Sequence, residues 1–164
     1  MAIARTIADF LVDHRVDFHV YPHDYCERAL DSAKRSNLNP QSVAKGVVIA
    51  TKRQHKRTYC LVVLPSDRAV NLHELRELAF QEVELATESE LATLFPDCEI
   101  GAVPALGEAY GLPTFIDETI VENGDDIFFE AGDHQELIKI ATDQLEQIMP
   151  YAEFVSISKH DTLQ

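Results

Sequence analysis

Two β-rich runs, residues 46–51 and 58–64, flank the polar stretch Lys52-Arg53-Gln54-His55-Lys56-Arg57. Most simply they are the arms of one hairpin in the core, because β-branched and aliphatic side chains suit a pleated, buried surface. The residue just ahead of the first run tightens the constraint. Lys45 lies in Ser42-Val43-Ala44-Lys45-Gly46-Val47-Val48-Ile49, with apolar or small neighbours on both sides. A lysine there must snorkel to water or aim its ammonium into a cavity where something anionic arrives. Two later segments offer such a cavity its other walls. Gly101-Ala102-Val103-Pro104-Ala105-Leu106-Gly107 is a glycine-bounded loop, and Gly132-Asp133-His134 is a tight turn ending in an imidazole.

Around the hairpin, helical and strand patterns interleave. Ile3, Ile7, Phe10 and Leu11 recur at helical spacing and predict a first helix to His14. Val16, Phe18 and Val20 alternate as a strand that Pro22 stops. Helical residues 28–36 end in the Asn37-Leu38-Asn39-Pro40 turn, and one more helical turn precedes Lys45. Asn71 with Glu74, and Thr87 with Glu90, are capping-box patterns for helices over 72–80 and from residue 88, with a short strand at 82–85 between them. Three β-rich pieces follow the glycine loop, at 113–117, 119–121 and 127–131, the last two joined by Glu122-Asn123-Gly124-Asp125. A strand at 137–140 and a helix over 143–149 complete the reading. Hairpins are too frequent for a purely parallel, doubly wound sheet. The expectation is an α/β protein of α+β type, a mixed, mostly antiparallel sheet or partial barrel surrounded by helices.

With no repeat, low-complexity tract or linker, residues 1–164 read as a single domain. No apolar run approaches the roughly 18 residues of a membrane span, and the N-terminus lacks a signal-peptide layout. Cys26, Cys60 and Cys98 are odd in number and widely spaced, which fits reduced thiols in the cytoplasm. A net charge of −14 opposes broad, nonspecific contact with nucleic acid. The cations of residues 52–57 read as a solvated hairpin tip, or as a patch touching a polyanion near the pocket. His14, His19 and His23 do not make a zinc site, since Pro22 interrupts any helix and alternation sets Phe18 and Val20 opposite His19. Nothing local marks Cys26 as a lowered-pKa nucleophile. Asp125-Asp126 through Glu130 read as strand-edge solvation, lacking the order of a calcium loop. Neither a Walker loop nor a dinucleotide fingerprint is present, so no cofactor and no metal are expected.

The ordered set Gln41-Ser42-Val43-Ala44-Lys45, then the 101–107 loop, then Asp117, then Gly132-Asp133-His134, resembles the YbaK/ProX superfamily of trans-editing aminoacyl-tRNA deacylases, related to the editing domain of bacterial prolyl-tRNA synthetase. The resemblance implies a YbaK-like fold and hydrolysis of the ester joining a wrong amino acid to the terminal adenosine of a tRNA. It carries the family lysine onto Lys45, the glycine-proline loop onto residues 101–107, and the late glycine-x-histidine onto Gly132 and His134. Lys45, Gly101 and His134 are thus the catalytic candidates; Val103, Pro104, Ala105, Gly107, Asp117 and Gly132 are the substrate-binding ones. Two departures stand out. Ala105 follows Pro104 where the family loop often has a second proline, and Gly46 follows Lys45 where the family often has threonine. Ala105 is expected to reshape the amino-acid pocket without removing the reaction.

The chemistry can be argued from the residues themselves. An aminoacyl ester is already activated, so its hydrolysis needs a positioned water and a stabilised oxyanion more than a strong nucleophile. Amides of a glycine-bounded loop can approach a carbonyl oxygen closely. An ammonium at Lys45 would hold the terminal phosphate or ribose region, and a free 2′-hydroxyl would help activate water. Two rivals remain: a non-catalytic module of the same fold that binds an aminoacyl or nucleotide ligand or docks on a synthetase, and a small-metabolite ester hydrolase. The partner expected is aminoacyl-tRNA, presented to so acidic a chain by a synthetase or elongation factor, with no membrane.

Overall fold

The computed structural model describes residues 3–79, 82–122 and 124–161. Ten strands and six α-helices alternate along it. They run α1 (Arg5–Asp13), β1 (His19–Pro22), α2 (Ala29–Arg35), β2 (Val43–Arg53), β3 (Lys56–Pro65), β4 (Arg68–Val70), α3 (Leu72–Ala79) and β5 (Glu82–Leu85). Then come α4 (Glu88–Leu94), β6 (Thr114–Asp117), α5 (Glu118–Glu122), β7 (Asp126–Glu130), β8 (Glu136–Ala141), α6 (Thr142–Ile148), β9 (Glu153–Val155) and β10 (Ser158–His160). Eight strands form one mixed sheet in the order β1-β8-β7-β2-β3-β6-β9, with β5 also pairing β2; β4 and β10 make a separate antiparallel pair. Pairs β1–β8, β7–β8, β2–β3 and β2–β5 are antiparallel, whereas β2–β7, β3–β6 and β6–β9 are parallel. The mixed, mostly antiparallel sheet read from the sequence is the one observed.

The hairpin is the spine of this sheet. Its register runs unbroken from Ala44↔Pro65 to Arg53↔Lys56. The turn puts Gln54 and His55 at positive φ, 50° and 66°, the twist that a two-residue hairpin turn needs. Because strand side chains alternate, the two arms divide their apolar residues between opposite faces. Ala44, Val48, Leu61 and Val63 join the main core with Ile7 and Leu11 of α1. Ile49, Val62 and Leu64 face Leu75 of α3 and Ile157. Val43 packs with Ala33 of α2 and Leu137 of β8. Both faces are covered, as a sheet with parallel pairs requires, and each fully buried aliphatic side chain contributes about 1.5–3 kcal/mol.

Thr87 and Glu90 form a complete capping box on α4, and Asn71 Oδ1 accepts the Glu74 N–H at 3.2 Å at the start of α3. Phe80, the last residue of the expected 72–80 helix, and Asn123, in the expected turn, lie outside the described residues. One expected strand is a helix. Residues 119–121, β-branched throughout, lie in α5. Asp117 Oδ2 accepts the Thr119 N–H at 3.3 Å and also its hydroxyl, while Ile120 is buried in the main core. A satisfied first turn and one buried face outweigh local β preference.

The feature that matters for function is a fork. On the edge away from β3, β2 pairs with β7 only through Val43↔Phe128 and Ala44↔Phe129. It takes up β5 only from Ile49↔Leu85 onward. Between those ladders, among the described residues, the edge from Lys45 to Val47 has no strand beside it, and the sheet opens.

Candidate functional site

The cleft at the fork has a volume of about 220 Å³ and is lined by Lys45, Gly46, Gly101 and Val103, with Arg28 and Glu130 among the remaining residues. Lys45 is placed by the start of β2 and Gly101 and Val103 by the loop after α4, so two segments distant in sequence meet here. Gly46 allows the approach. A Cβ built there would lie 3.0 Å from Leu61 Cδ1, 3.1 Å from Val103 Cγ1 and 3.4 Å from the Pro104 carbonyl oxygen, so the loop packs directly on the strand backbone.

Burial pushes the Lys45 ammonium below its ordinary pKa, with Arg28 adding to this and Asp161 and Asp67 opposing it. Two cations at one mouth suit an anionic or carbonyl-bearing ligand. The loop offers donors. Ala102 N–H is bonded to the Glu99 carbonyl at 3.0 Å, but among the described residues the Gly101 and Val103 amides have no acceptor. Gly101, at φ 86°, takes a conformation open mainly to glycine.

His134 stands behind this loop and does not line the cleft. It is 2% exposed, and its Nε2–H donates to the Ile100 carbonyl at 2.8 Å, since a carbonyl can only accept. A Cβ on Gly101 would sit 3.6 Å from the His134 ring. The imidazole thus fixes the loop from beneath, and its own turn is fixed by Asp133 Oδ1, which accepts the Gln135 and Glu136 amides at 2.9 and 3.0 Å. Gly132, at φ 106°, leaves room for Ala4 and Cys98, which a Cβ would meet at 2.9 and 3.1 Å.

The other candidates lie away from the cleft lining. Ala105 is wholly buried in the main core. Gly107 packs so closely on Thr114 that a Cβ would lie 2.0 Å from its hydroxyl. Asp117 Oδ1 accepts the Ile157 and Ser158 amides, each at 3.0 Å, which ties β6 to the β9–β10 connection. Pro104 enters through its backbone beside Gly46.

The basic hairpin tip is remote. Arg53 is eight positions from Lys45 along β2, roughly 26 Å at about 3.3 Å per residue. Arg57 is held by Glu84 and by Glu90, the latter with Nε to Oε2 at 2.6 Å, so it is committed to helix α4 and β5. Burial pushes the Cys60 and Cys98 thiols up to about 11, far from a reactive thiolate at neutral pH. No group of three or more metal-ligating side chains converges among the described residues.

Several cleft residues were not expected, Arg28 and Glu130 among them. Glu130, read as strand-edge solvation, is 5% exposed and lines the cleft. The signal available was the one used for Lys45: a charge with apolar or small neighbours on both sides, here Ile127-Phe128-Phe129 before it and Ala131 after.

The structure is thus a mixed α/β sheet forked over a cleft that Lys45 shares with the loop carrying Gly101 and Val103. The sequence matches the family model for the aminoacyl-tRNA editing domain over residues 23–148. This chain belongs to that family, the YbaK/ProX family. Solved structures with the same fold include hypothetical protein APE2540, with a TM-score of 0.80, 16% identity and coverage of 94% of this chain and 100% of that one. Another is described as a putative trans-editing enzyme for prolyl-tRNA synthetase, with a TM-score of 0.79, 18% identity and coverage of 95% and 96%. A third, a longer chain from Marinobacter aquaeolei VT8 described as a putative signal transduction protein, has a TM-score of 0.70 at 14% identity, over 97% of this chain and 31% of that one. No curated protein matches the sequence. Among the described residues no helix is long and apolar enough to cross a membrane.

Proposed function

We propose that this chain, acting as one cytoplasmic domain, hydrolyses in trans the ester between a mismatched amino acid and the terminal adenosine of a tRNA. The observation that carries the reading is the meeting of Lys45 with Gly101 and Val103 in one cleft. Lys45 and Arg28 receive the phosphate and ribose end of the substrate. The amides of Gly101 and Val103 receive the carbonyl oxygen as it becomes an oxyanion, the charge whose stabilisation lowers the barrier most. The free hydroxyl of the terminal ribose orients water, and no side-chain base is required. His134 acts through the loop that it anchors.

A binding module without turnover is the second reading, favoured by the charge of −14 and by the distance of the cationic hairpin tip from the cleft. On either reading a basic partner presents the tRNA. The test is a panel of mischarged tRNAs assayed with wild type and Lys45→Ala at low and moderate salt. Lysine-dependent ester loss supports editing. Binding without turnover supports the module, and activity confined to free small esters would replace both readings with a metabolite hydrolase.

A further inference from the structure

Glu130 ends β7 at the fork. The parallel ladder Val43↔Phe128, Ala44↔Phe129 stops one step short of it, so Glu130 and Lys45 are the next residues on the two diverging strands, level across the gap. Phe128 and Val43, two residues back, pack together under α2. By alternation Glu130 and Lys45 therefore leave the sheet on that same face. They are not paired: no ion pair joins them among the described residues. The charges felt by Lys45 come from Asp161, Arg28 and Asp67, whereas those felt by Glu130 come from His23, His134 and Asp133. The cleft lining thus carries the cations Lys45 and Arg28 together with the carboxylates Glu27 and Glu130.

Only half of this carboxylate is occupied. Oε1 accepts the Ser32 hydroxyl at 2.9 Å and lies 3.6 Å from His23 Nε2. Oε2 is buried and has no hydrogen-bond partner. His23 Nδ1 is 2.6 Å from the Asp24 carbonyl, so Nδ1 carries a proton, and Nε2, likewise buried without a hydrogen-bond partner among the described residues, faces the carboxylate. An orphaned buried oxygen is costly and unusual in a native fold. For the ionised carboxylate the missing partner is a donor, and in a cleft the fitting donor is a cation brought by the ligand.

We propose that Glu130 Oε2 receives the α-ammonium of the aminoacyl group, so that the cleft takes aminoacyl esters with a free amino group and rejects N-acylated ones. This rests on the editing reading above and adds a specificity to it. An aminoacyl-tRNA terminus carries its phosphate on one side of the ester and its ammonium on the other, and the cleft lining offers both cations, Lys45 and Arg28, and a carboxylate, Glu130. Burial pushes the Glu130 carboxyl above its ordinary pKa, and an arriving ammonium would restore the ionised form.

The test compares one mischarged tRNA with its N-acetylated form, using wild type and Glu130→Gln, whose amide oxygen can still accept from Ser32. Wild type is expected to prefer the free amine by about 10- to 100-fold in kcat/KM, the worth of a charge-assisted hydrogen bond, and Glu130→Gln to lose most of that preference. A purely structural Glu130 would lower both activities alike, and the unchanged ratio would overturn the inference. So would a wild type indifferent to acetylation, a result needing no variant. Calorimetry with the non-hydrolysable 3′-aminoacylamino-adenosine, free and N-acetylated, separates the two claims. Glu130-dependent binding of the free amine without turnover on tRNA would sink the catalytic reading and keep this one. Turnover with no amine preference would do the reverse, and no binding of either analogue would overturn this inference.

Discussion

Replacing Gly46 with alanine tests whether strand-to-loop contact sets the geometry of the cleft. The new Cβ would meet Val103 Cγ1 at 3.1 Å and the Pro104 oxygen at 3.4 Å. Carbon atoms settle at about 3.5–4.0 Å, so Val103 must retreat by roughly 0.5 Å. Leu61 Cδ1, at 3.0 Å, can turn aside, but the stiff valine and the loop backbone cannot. Overpacking costs about 1–3 kcal/mol, and replacing glycine within a strand returns about 0.5–1 kcal/mol. The net loss of stability should be about 0–2.5 kcal/mol. Activity should suffer more selectively. A misplacement of about 1 Å costs on the order of 100-fold, so half of that predicts roughly a tenfold fall in kcat/KM. Urea unfolding and deacylation of the preferred mischarged tRNA measure the two effects. Full activity alongside a clear stability loss would show that the loop either does not move or does not take part, and the argument for Gly101 and Val103 would fail.

Other expectations follow from single residues. Lys45→Met should abolish lysine-dependent deacylation yet raise stability at pH 7 by about 1 kcal/mol. With its folded pKa below 10.5, Lys45 binds its proton less tightly in the native state than unfolded. Its charge therefore opposes folding at neutral pH, and the advantage of methionine should shrink as pH rises through the lowered value toward 10.5 in urea titrations. Asp117→Ala should cost about 3 kcal/mol by stranding the Ile157 and Ser158 amides, with kcat/KM per folded molecule unchanged; a selective loss of activity would return Asp117 to the substrate. Cys60 and Cys98 in the native protein should resist maleimide at pH 7, since fewer than about one thiol in a thousand is ionised at that depth, and rapid labelling before unfolding would contradict their burial.

Most of the frame was legible because periodicity and capping chemistry act locally. The 46–51 and 58–64 hairpin, the 82–85 strand and the Thr87–Glu90 box are all present with small shifts at their ends. Residues 119–121 misled because their β-branching is local, whereas the Asp117 side chain that starts α5 and the core that holds Ile120 are tertiary. Strands β4, β9 and β10 have three residues each, too few to show a period. At the site, Lys45 and the 101–107 loop stood out as anomalies of composition in their surroundings. Glu130 carried the same anomaly, but a neighbouring run of acids, Asp125 and Asp126, disguised it as surface. The particular partners of Gly107 and Asp117, namely Thr114, Ile157 and Ser158, could not be read from the sequence, because they are chosen by the fold.

Because strand β2 keeps β3 along its whole length and exchanges its other neighbour midway, the opening between β7 and β5 is built from main-chain geometry and needs no large side chain to prop it apart. What fills the hole is hung from elsewhere: valine from one crossover, arginine from a helix entrance, glutamate from a strand terminus. None of the three lies on β2, so the walls of the opening can change one at a time while Lys45 stays where the β2–β3 ladder holds it.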